Sequence, residues 1–276
     1  MPVPEPPLSI SFLSDFGHAD EFVGVVHGVI LRIAPELRVI DITHGVPRGD
    51  VRAGALALLR AVQYLPTGVA VAVVDPGVGT ARRAIAAATP WGYFVGPDNG
   101  LLAPAVAMVG GAERLVALED SRFQLPRDGA TFDGRDVFAP AAAVLASGQA
   151  ALEDLGPVIA PDVITPLLLP LAEVTGAAVD GEVWWVDGFG NAQTNVAPED
   201  LRSLGLEPGA TVEVRLGGTT REMEWRAGYG EPSGNGIVHV DSYGMIAVSV
   251  PGGRADEVFG LSSGLSISFR KPAPTG

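Results

Sequence analysis

Along the first half of the chain, apolar runs typical of buried strands alternate with segments whose apolar residues have helical spacing. Short apolar runs predict buried strands at residues 8–13, 37–42, 68–74, 84–89 and 92–96. Helical spacing predicts helices at residues 20–33, 50–64 with Asp50 as the cap, just after Asn99–Gly100, and at 136–147. Strands that alternate with helices are typical of an α/β fold, so we predict an N-terminal α/β domain with a largely parallel central sheet.

The pattern changes at residues 157–180, where four prolines interrupt the chain and helical spacing becomes rare. Residues 211–216 alternate strictly between apolar and polar side chains, as a half-buried strand does. Similar short strands are predicted at residues 182–187, 236–240, 245–250 and 265–269. We therefore place the α/β domain in residues 1–172 and a mostly antiparallel, barrel-like β domain in residues 173–276.

The reactive side chains present in the chain limit the types of reaction that it could catalyse. The chain of 276 residues is 47% hydrophobic and can build a sizeable core, but it has no cysteine and only one lysine, Lys271. Without cysteine there is no thiolate nucleophile, disulfide or iron–sulfur cluster. A lone lysine near the C-terminus argues against Schiff-base chemistry, and the lysine of a Walker A phosphate loop is missing.

Charge and the remaining motifs restrict the partners. A formal net charge of −14 argues against nucleic acid and anionic membranes as partners. We see no basic and apolar leader and no apolar run of about 18 residues, so we expect no membrane span and a cytoplasmic protein. The four histidines lack ligand spacings such as H-E-x-x-H, so we predict no bound metal and no cofactor.

Acidic residues follow two predicted strands, where open α/β sheets bind their ligands. Asp15 follows the first strand and could accept hydrogen bonds from a ribose diol, or could simply cap the next helix. Asp75 follows the strand at 68–74 in the sequence Asp-Pro-Gly-Val-Gly-Thr, and Arg82 could pair with it across the turn. That pair could serve a ligand or could be a structural ion pair.

Two further charged turns are compatible with either a ligand site or a purely structural role. Residues 131–136 form the compact cluster Thr-Phe-Asp-Gly-Arg-Asp before an alanine-rich helix. Asp187 begins the turn Asp-Gly-Phe-Gly-Asn, where Phe189 offers a ring for stacking and Asn191 offers a paired donor and acceptor. A ring and an amide together could bind a purine, whereas an Asx turn explains the same residues without a ligand.

Seven motifs occur in order along nearly the whole chain. They are Phe12–Gly17, Asp41–His44, Val74–Thr80 with Arg82 and Arg83, Gly96–Leu102, Thr131–Asp136, Asp187–Asn191 and Asp241–Gly244. Together they resemble the S-adenosylmethionine (SAM) hydroxide adenosyltransferase family, which is related to SAM-dependent fluorinases and chlorinases. The resemblance implies the two domains described above, a homotrimer with SAM at subunit interfaces, and no metal requirement.

The resemblance also implies a reaction and its residues. Water or hydroxide would attack ribose C5′ of SAM and give adenosine and L-methionine. Asp75 and Arg82 match two members of the family's water-activating Asp-Arg-His set. The implied substrate-binding residues are Asp15 for the ribose, Asp20 and Ser242 for the methionine part, Asp187, Phe189 and Asn191 for the adenine or methionine amine, and Asn99 in the Gly96–Leu102 motif.

The chain departs from the family at the third catalytic position, where Asp133 stands in place of the usual histidine. If Asp75 and Asp133 lie close together, they could share a proton. We hypothesise that this pair still orients water while Arg82 offsets its charge. On sequence grounds, Asp133→His would then keep or raise the rate of hydrolysis.

Two other functions remain as alternatives. One is a SAM- or nucleoside-binding protein whose catalysis is impaired by the change at Asp133. The other is a SAM-dependent halogenase such as a chlorinase, although the carboxylate of Asp75 would repel an incoming halide.

Overall fold

The computed structural model describes residues 8–231 and 234–273. Contacts divide the chain into two compact units, one ending at Leu167 and the other beginning at Leu168. The domain boundary between residues 172 and 173 stays a prediction. Each unit has its own buried apolar core.

The N-terminal unit is built on a seven-stranded sheet. Its strands are β1 (Ser9–Ser14), β2 (Val39–Thr43), β3 (Gly68–Val73), β4 (Ala84–Ala88), β5 (Tyr93–Pro97), β6 (Arg114–Ala117) and β7 (Val158–Ile159). The order across the sheet is β2-β1-β3-β5-β4-β6-β7. Strands β2, β1, β3 and β5 run parallel, whereas β4, β6 and β7 extend the sheet in antiparallel fashion. The predicted α/β domain is confirmed, with an antiparallel extension along one side.

Helices cover this sheet and connect its strands. They are α1 (Phe22–Ile33), α2 (Val51–Val62), α3 (Ala103–Met108) and α4 (Ala139–Ser147), the last preceded by a π-helical turn at Gly134–Phe138. Asp50 caps α2 as predicted, because its side chain accepts a hydrogen bond from Ala53 N at 2.9 Å. Strand β3 is buried along its whole length, which is why it reads as an unbroken apolar run.

The C-terminal unit is a closed barrel. Its strands are β8 (Glu173–Val174), β9 (Ala178–Val186), β10 (Ala192–Thr194), β11 (Thr211–Leu216), β12 (Thr219–Trp225), β13 (Ile237–Val240), β14 (Ile246–Ser249) and β15 (Ser266–Arg270). Seven strands close in the order β10-β14-β13-β12-β11-β15-β9, and β9 pairs back with β10. Within this barrel, β12 and β13 are the only neighbouring described strands that pair in parallel, so the mostly antiparallel barrel predicted from sequence is confirmed.

Two short helices complete the C-terminal unit, α5 (Pro198–Ser203) and α6 (Ala255–Phe259). The barrel core contains apolar side chains from every strand except the short β8, among them the fully buried Phe269 and Trp225. Among the described residues, no helix combines the length and the apolar character needed to cross a membrane.

Candidate active site

Asp75 and Arg82 meet across the loop that follows β3. Val74 is fully buried at the end of this apolar segment, so the chain delivers Asp75 directly from the core. Arg82 Nε lies 2.9 Å from both carboxylate oxygens of Asp75, and its Nη2 donates to Oδ2 as well. The side chains are 5% exposed for Asp75 and 12% for Arg82, so this pair is largely removed from water. The pairing predicted from sequence is confirmed.

Asp133 joins this pair from the start of a helical segment far along the chain. Its Oδ2 accepts a hydrogen bond from Arg82 Nη2 at 2.5 Å, and its Oδ1 accepts one from Arg127 Nη1. Asp133 is 9% exposed at the side chain and lies immediately before the π-helical turn. We call Asp75, Arg82, Asp133 and Arg127 the Asp–Arg cluster. The sequence did not predict Arg127 as a site residue, because it lies outside the seven motifs.

Charges alternate within the Asp–Arg cluster. The guanidinium of Arg82 lies between the two carboxylates, and Arg127 provides a second cation on Asp133. Burial opposes the charge of Arg82, but the hydrogen bonds that it donates to Asp75 and Asp133 raise its pKa above the usual value. Two anions therefore face two cations in this cluster. A cavity of ≈ 280 Å³ opens beside Arg82, Arg127 and Asp133.

Three other predicted site residues of the N-terminal unit occupy loops at strand ends. Asp15 follows β1, and its Oδ2 accepts a hydrogen bond from Gly49 N at 2.7 Å. It does not cap α1, which begins after Glu21 without a side-chain cap. Asn99 donates to Val74 O at 2.9 Å and so fixes the strand end that carries Asp75. Asp20 is exposed in the bend before α1.

Asp187, Phe189 and Asn191 come together at one end of β9. Asp187 Oδ1 accepts from Phe189 N at 2.8 Å and from Asn191 N at 2.9 Å, as in an Asx turn. Its Oδ2 accepts from Asn191 Nδ2 at 2.9 Å. The turn leaves the ring of Phe189 80% exposed, so a flat ligand can stack on it.

These three residues line a cavity of ≈ 310 Å³, the barrel cavity, whose wall also includes Ser242, Tyr229, Asp241 and Trp185. Ser242 is exposed at its rim. Tyr229, which sequence reasoning missed, lies with its hydroxyl 3.3 Å from Asn191 Nδ2. Burial, together with the negative charges of Asp187 and Asp241, raises the pKa of Tyr229 above its usual value, which favours the neutral phenol.

Comparison with known proteins covers both units. Residues 10–156 match the SAM hydroxide adenosyltransferase N-terminal domain, and residues 181–268 match the C-terminal domain of the same family. A curated relative from Salinispora tropica, named (R)-S-adenosyl-L-methionine hydrolase, is 47% identical over 92% of this chain and 95% of its own length. A Thermus thermophilus protein of the same name is 44% identical over 94% of this chain and 98% of its own.

A solved structure and a group of more distant relatives are also similar to this chain. A crystal structure of an uncharacterized conserved protein from Thermotoga maritima superposes with a TM-score of 0.88 at 34% identity, covering 95% of this chain and 100% of that one. Proteins named fluorinase are more distant, with 25% identity over 95% of this chain for the one from an Actinoplanes species.

Proposed function

The chain belongs to the SAM hydroxide adenosyltransferase family, and from this premise we propose that it hydrolyses SAM to adenosine and L-methionine. The observation that carries the proposal is the similarity, along almost the whole chain, to proteins named SAM hydrolases. Fluorinases match less closely, which favours water over halide as the nucleophile.

The protein has few chemical tasks in this reaction. The sulfonium of SAM is a good leaving group, so an oxygen of water can displace methionine at C5′ by in-line attack. The C5′–S bond breaks as the C5′–O bond forms, both electrons of the old bond stay on sulfur, and one proton is released. The protein has to place water opposite the leaving group and accept that proton.

We assign the water to the Asp–Arg cluster. A carboxylate has about four acceptor sites, so Asp75 and Asp133 can each accept from water while keeping their arginine bonds. Arg82 fixes both carboxylates in one geometry, because it donates to each of them. The released proton passes to this carboxylate pair and then to solvent. Fixed charges in a site shielded from water stabilise the transition state without reorganisation.

We assign the substrate contacts to the remaining predicted residues. Asp15 would hold the ribose hydroxyls, and Asp20 and Ser242 the methionine part. Asp187 and Asn191 present polar groups, and Phe189 a stacking face, to the adenine or methionine amine. Asn99 holds the strand end that carries Asp75, which is how we expect it to support the site. The enzyme requires no cofactor under this proposal, since SAM is the substrate.

We further propose a homotrimer with its sites at subunit interfaces, acting in the cytoplasm. Sedimentation of the purified protein tests the assembly: a mass three times that of the chain supports it, and a monomer at working concentration contradicts it.

Isotope labelling tests the reaction. Purified protein is incubated with SAM in ¹⁸O-water, and the products are separated and analysed by mass spectrometry. We expect ¹⁸O in the 5′-hydroxyl of adenosine and none in methionine, because water attacks carbon C5′. SAM binding without turnover would favour the impaired-binder alternative and would overturn the proposal.

Two controls sharpen this test. Asp75→Asn should lower the rate strongly, by about 100-fold or more, because it removes a proton acceptor and the anion that holds Arg82. Adding chloride to the reaction tests the halogenase alternative. We expect no 5′-chloro-5′-deoxyadenosine, because Asp75 places a buried carboxylate where a halide would have to enter.

A further inference from the structure

Three side chains from separate segments converge outside the Asp–Arg cluster. His27 lies in α1, Asp41 in β2, and His44 just after β2. His27 Nε2 lies 2.8 Å from Asp41 Oδ1, and His44 Nε2 lies 3.1 Å from the same oxygen. All three potential ligand atoms lie within 4.8 Å of one another. We call these three residues the His–Asp–His cluster.

One ring nitrogen of the buried histidine in this cluster has no well-aligned hydrogen bond. His44 is 0% exposed at its side chain, and its Nδ1 is 2.7 Å from Ser14 Oγ. Its Nε2 is buried and makes no hydrogen bond with any described residue, because Asp41 Oδ1 is close but poorly aligned with it. Buried polar atoms are rarely left unsatisfied. If Nδ1 carries the proton and donates to Ser14, Nε2 presents a lone pair towards the cluster.

The spacing of the three atoms is close to that of a metal site. Zinc binds histidine nitrogen and carboxylate oxygen at about 2.0–2.2 Å in a tetrahedron, which places neighbouring ligand atoms about 3.3 Å apart. The observed 2.8 and 3.1 Å therefore differ from this spacing by only a few tenths of an ångström, and the two histidine nitrogens lie within 4.8 Å of each other. His27 and Asp41 can move, since their side chains are 28% and 43% exposed.

The surroundings provide the other features of a metal site. The hydrogen bond between Ser14 and His44 Nδ1 fixes the ring orientation, as outer partners of metal-bound histidines do. The buried ring of Phe12 packs beside both histidines, with centroid distances of 4.6 Å to His44 and 6.2 Å to His27. The exposed side of His27 and Asp41 leaves a path for the ion and room for a water ligand.

We propose that His27, Asp41 and His44 bind one zinc ion, with the fourth position open to water. This site is separate from the residues assigned to hydrolysis and needs no part in that reaction. It would tie α1 to the end of β2 and to Ser14, the residue before Asp15. Gly17 N donates to His44 O at 2.8 Å, so the ion would also steady the loop that carries Asp15. The spacing rules applied to the sequence missed this cluster, because its ligands come from a helix and a strand end brought together by folding.

Direct titration of the full chain tests the proposal. Protein stripped with a chelator is titrated with Zn²⁺ by calorimetry, and its melting temperature is measured with and without the ion. We expect one ion per chain and a higher melting temperature with zinc, since an ion that binds only the folded state stabilises it. No saturable binding would overturn the proposal.

Variants locate the ion. His27→Ala should weaken zinc binding by about 10-fold or more and remove the thermal shift, because a ligand is lost, while the metal-free protein keeps its fold since His27 is partly exposed. Ser14→Ala should weaken binding by about 10-fold through the orientation of His44. His18→Ala is the matched control: its ring contacts that of His44 but lies outside the ligand set, so binding should be unchanged. Equal zinc binding by His27→Ala and the unaltered chain would also overturn the proposal.

Discussion

At the scale of single residues, Asp133 shows how a substitution is accommodated by its neighbours. The resemblance places a histidine at this position, and a second buried carboxylate beside Asp75 would by itself be costly. Arg127 donates to Asp133, and Arg82 donates to both carboxylates, so the added negative charge is neutralised locally. We infer that Asp133 and Arg127 work as a unit in the proposed hydrolysis.

Double-mutant analysis tests this unit. Arg127→Gln should lower the hydrolysis rate by about 10- to 100-fold, because Asp133 loses a charge-assisted hydrogen bond. The double variant with Asp133→Asn and Arg127→Gln should show a smaller fold-loss of hydrolysis rate than the two single fold-losses multiplied together. Arg122→Gln is the matched control, since Arg122 is 72% exposed and pairs with Asp120 away from the cluster. Fully multiplicative effects would contradict the coupling.

The same unit changes the expectation for a histidine at position 133. The sequence alone suggested that Asp133→His would keep or raise the rate. With Arg127 present, the single change leaves a guanidinium without its anionic partner, so we expect it to lower the rate. Adding Arg127→Gln should restore part of that loss, which steady-state kinetics on the three variants will show.

Tyr229 allows a test in the other unit. Burial and the charges of Asp187 and Asp241 raise its pKa, so we expect its phenol to ionise at a higher pH in the folded chain than in the denatured chain. Ultraviolet titration of the chain and of Tyr229→Phe gives its ionisation by difference, and the same difference in denaturant gives the reference. Because the folded state holds this proton more tightly, its contribution to stability is present below the unfolded pKa and is lost as pH rises through the folded value. Identical curves in the two conditions would contradict the assignment.

At the scale of elements, the π-helical turn before α4 positions Asp133. The sequence predicted a helix over 136–147, whereas the structure begins with five residues at Gly134–Phe138 in which Ala139 N donates to Gly134 O. Turns of this kind are common at functional sites. A Cβ atom on Gly134 would lie 2.9 Å from the ring of Phe16, so a glycine is needed there for close packing.

Two glycines in neighbouring helices give opposite predictions. A Cβ on Gly24 in α1 meets no atom within 4 Å, so Gly24→Ala should stabilise the chain by about 0.5–1 kcal/mol through helix propensity. A Cβ on Gly54 in α2 would lie 2.8 Å from Val74 and 2.9 Å from Leu101, so Gly54→Ala should destabilise by about 1–3 kcal/mol. Urea unfolding measures both free energies, and the same sign for the two variants would contradict this explanation.

The hydrophobic pattern did not predict strands that are very short or mostly polar. Strand β10 has only three residues, too few to show a period. Strand β12 contains Thr-Thr-Arg-Glu-Met-Glu-Trp, and only Met223 and Trp225 are buried, so its first half has no apolar signal. Both strands are held by pairing with β14, β9, β11 and β13 rather than by their own residues.

At the scale of the whole molecule, the net charge of −14 bears on the substrate. SAM carries a sulfonium, an ammonium and a carboxylate, and so has a net charge of about +1 at neutral pH. A negative protein attracts such a cation over distances up to the Debye length, which is about 30 Å at 0.01 M salt and about 8 Å at 0.15 M.

Salt dependence tests this attraction. We expect KM for SAM to rise a few-fold as sodium chloride increases from about 0.01 to 0.3 M, because screening weakens the long-range field. The inhibition constant of adenosine, a neutral product, is the internal control and should change little. Equal changes for SAM and adenosine would point to a general effect of salt on the protein.

The sequence by itself determined the long periodic elements, the order of two domain types, and the residue types at strand ends, because these follow from local spacing and composition. It also placed Asp75 and Arg82 together, since one tight loop joins them. Only the tertiary structure decided that Arg127 meets Asp133, that His27 meets Asp41 and His44, and that β9 closes the barrel on β10. Those contacts depend on the path of the backbone through space and on close packing, which local periodicity does not encode.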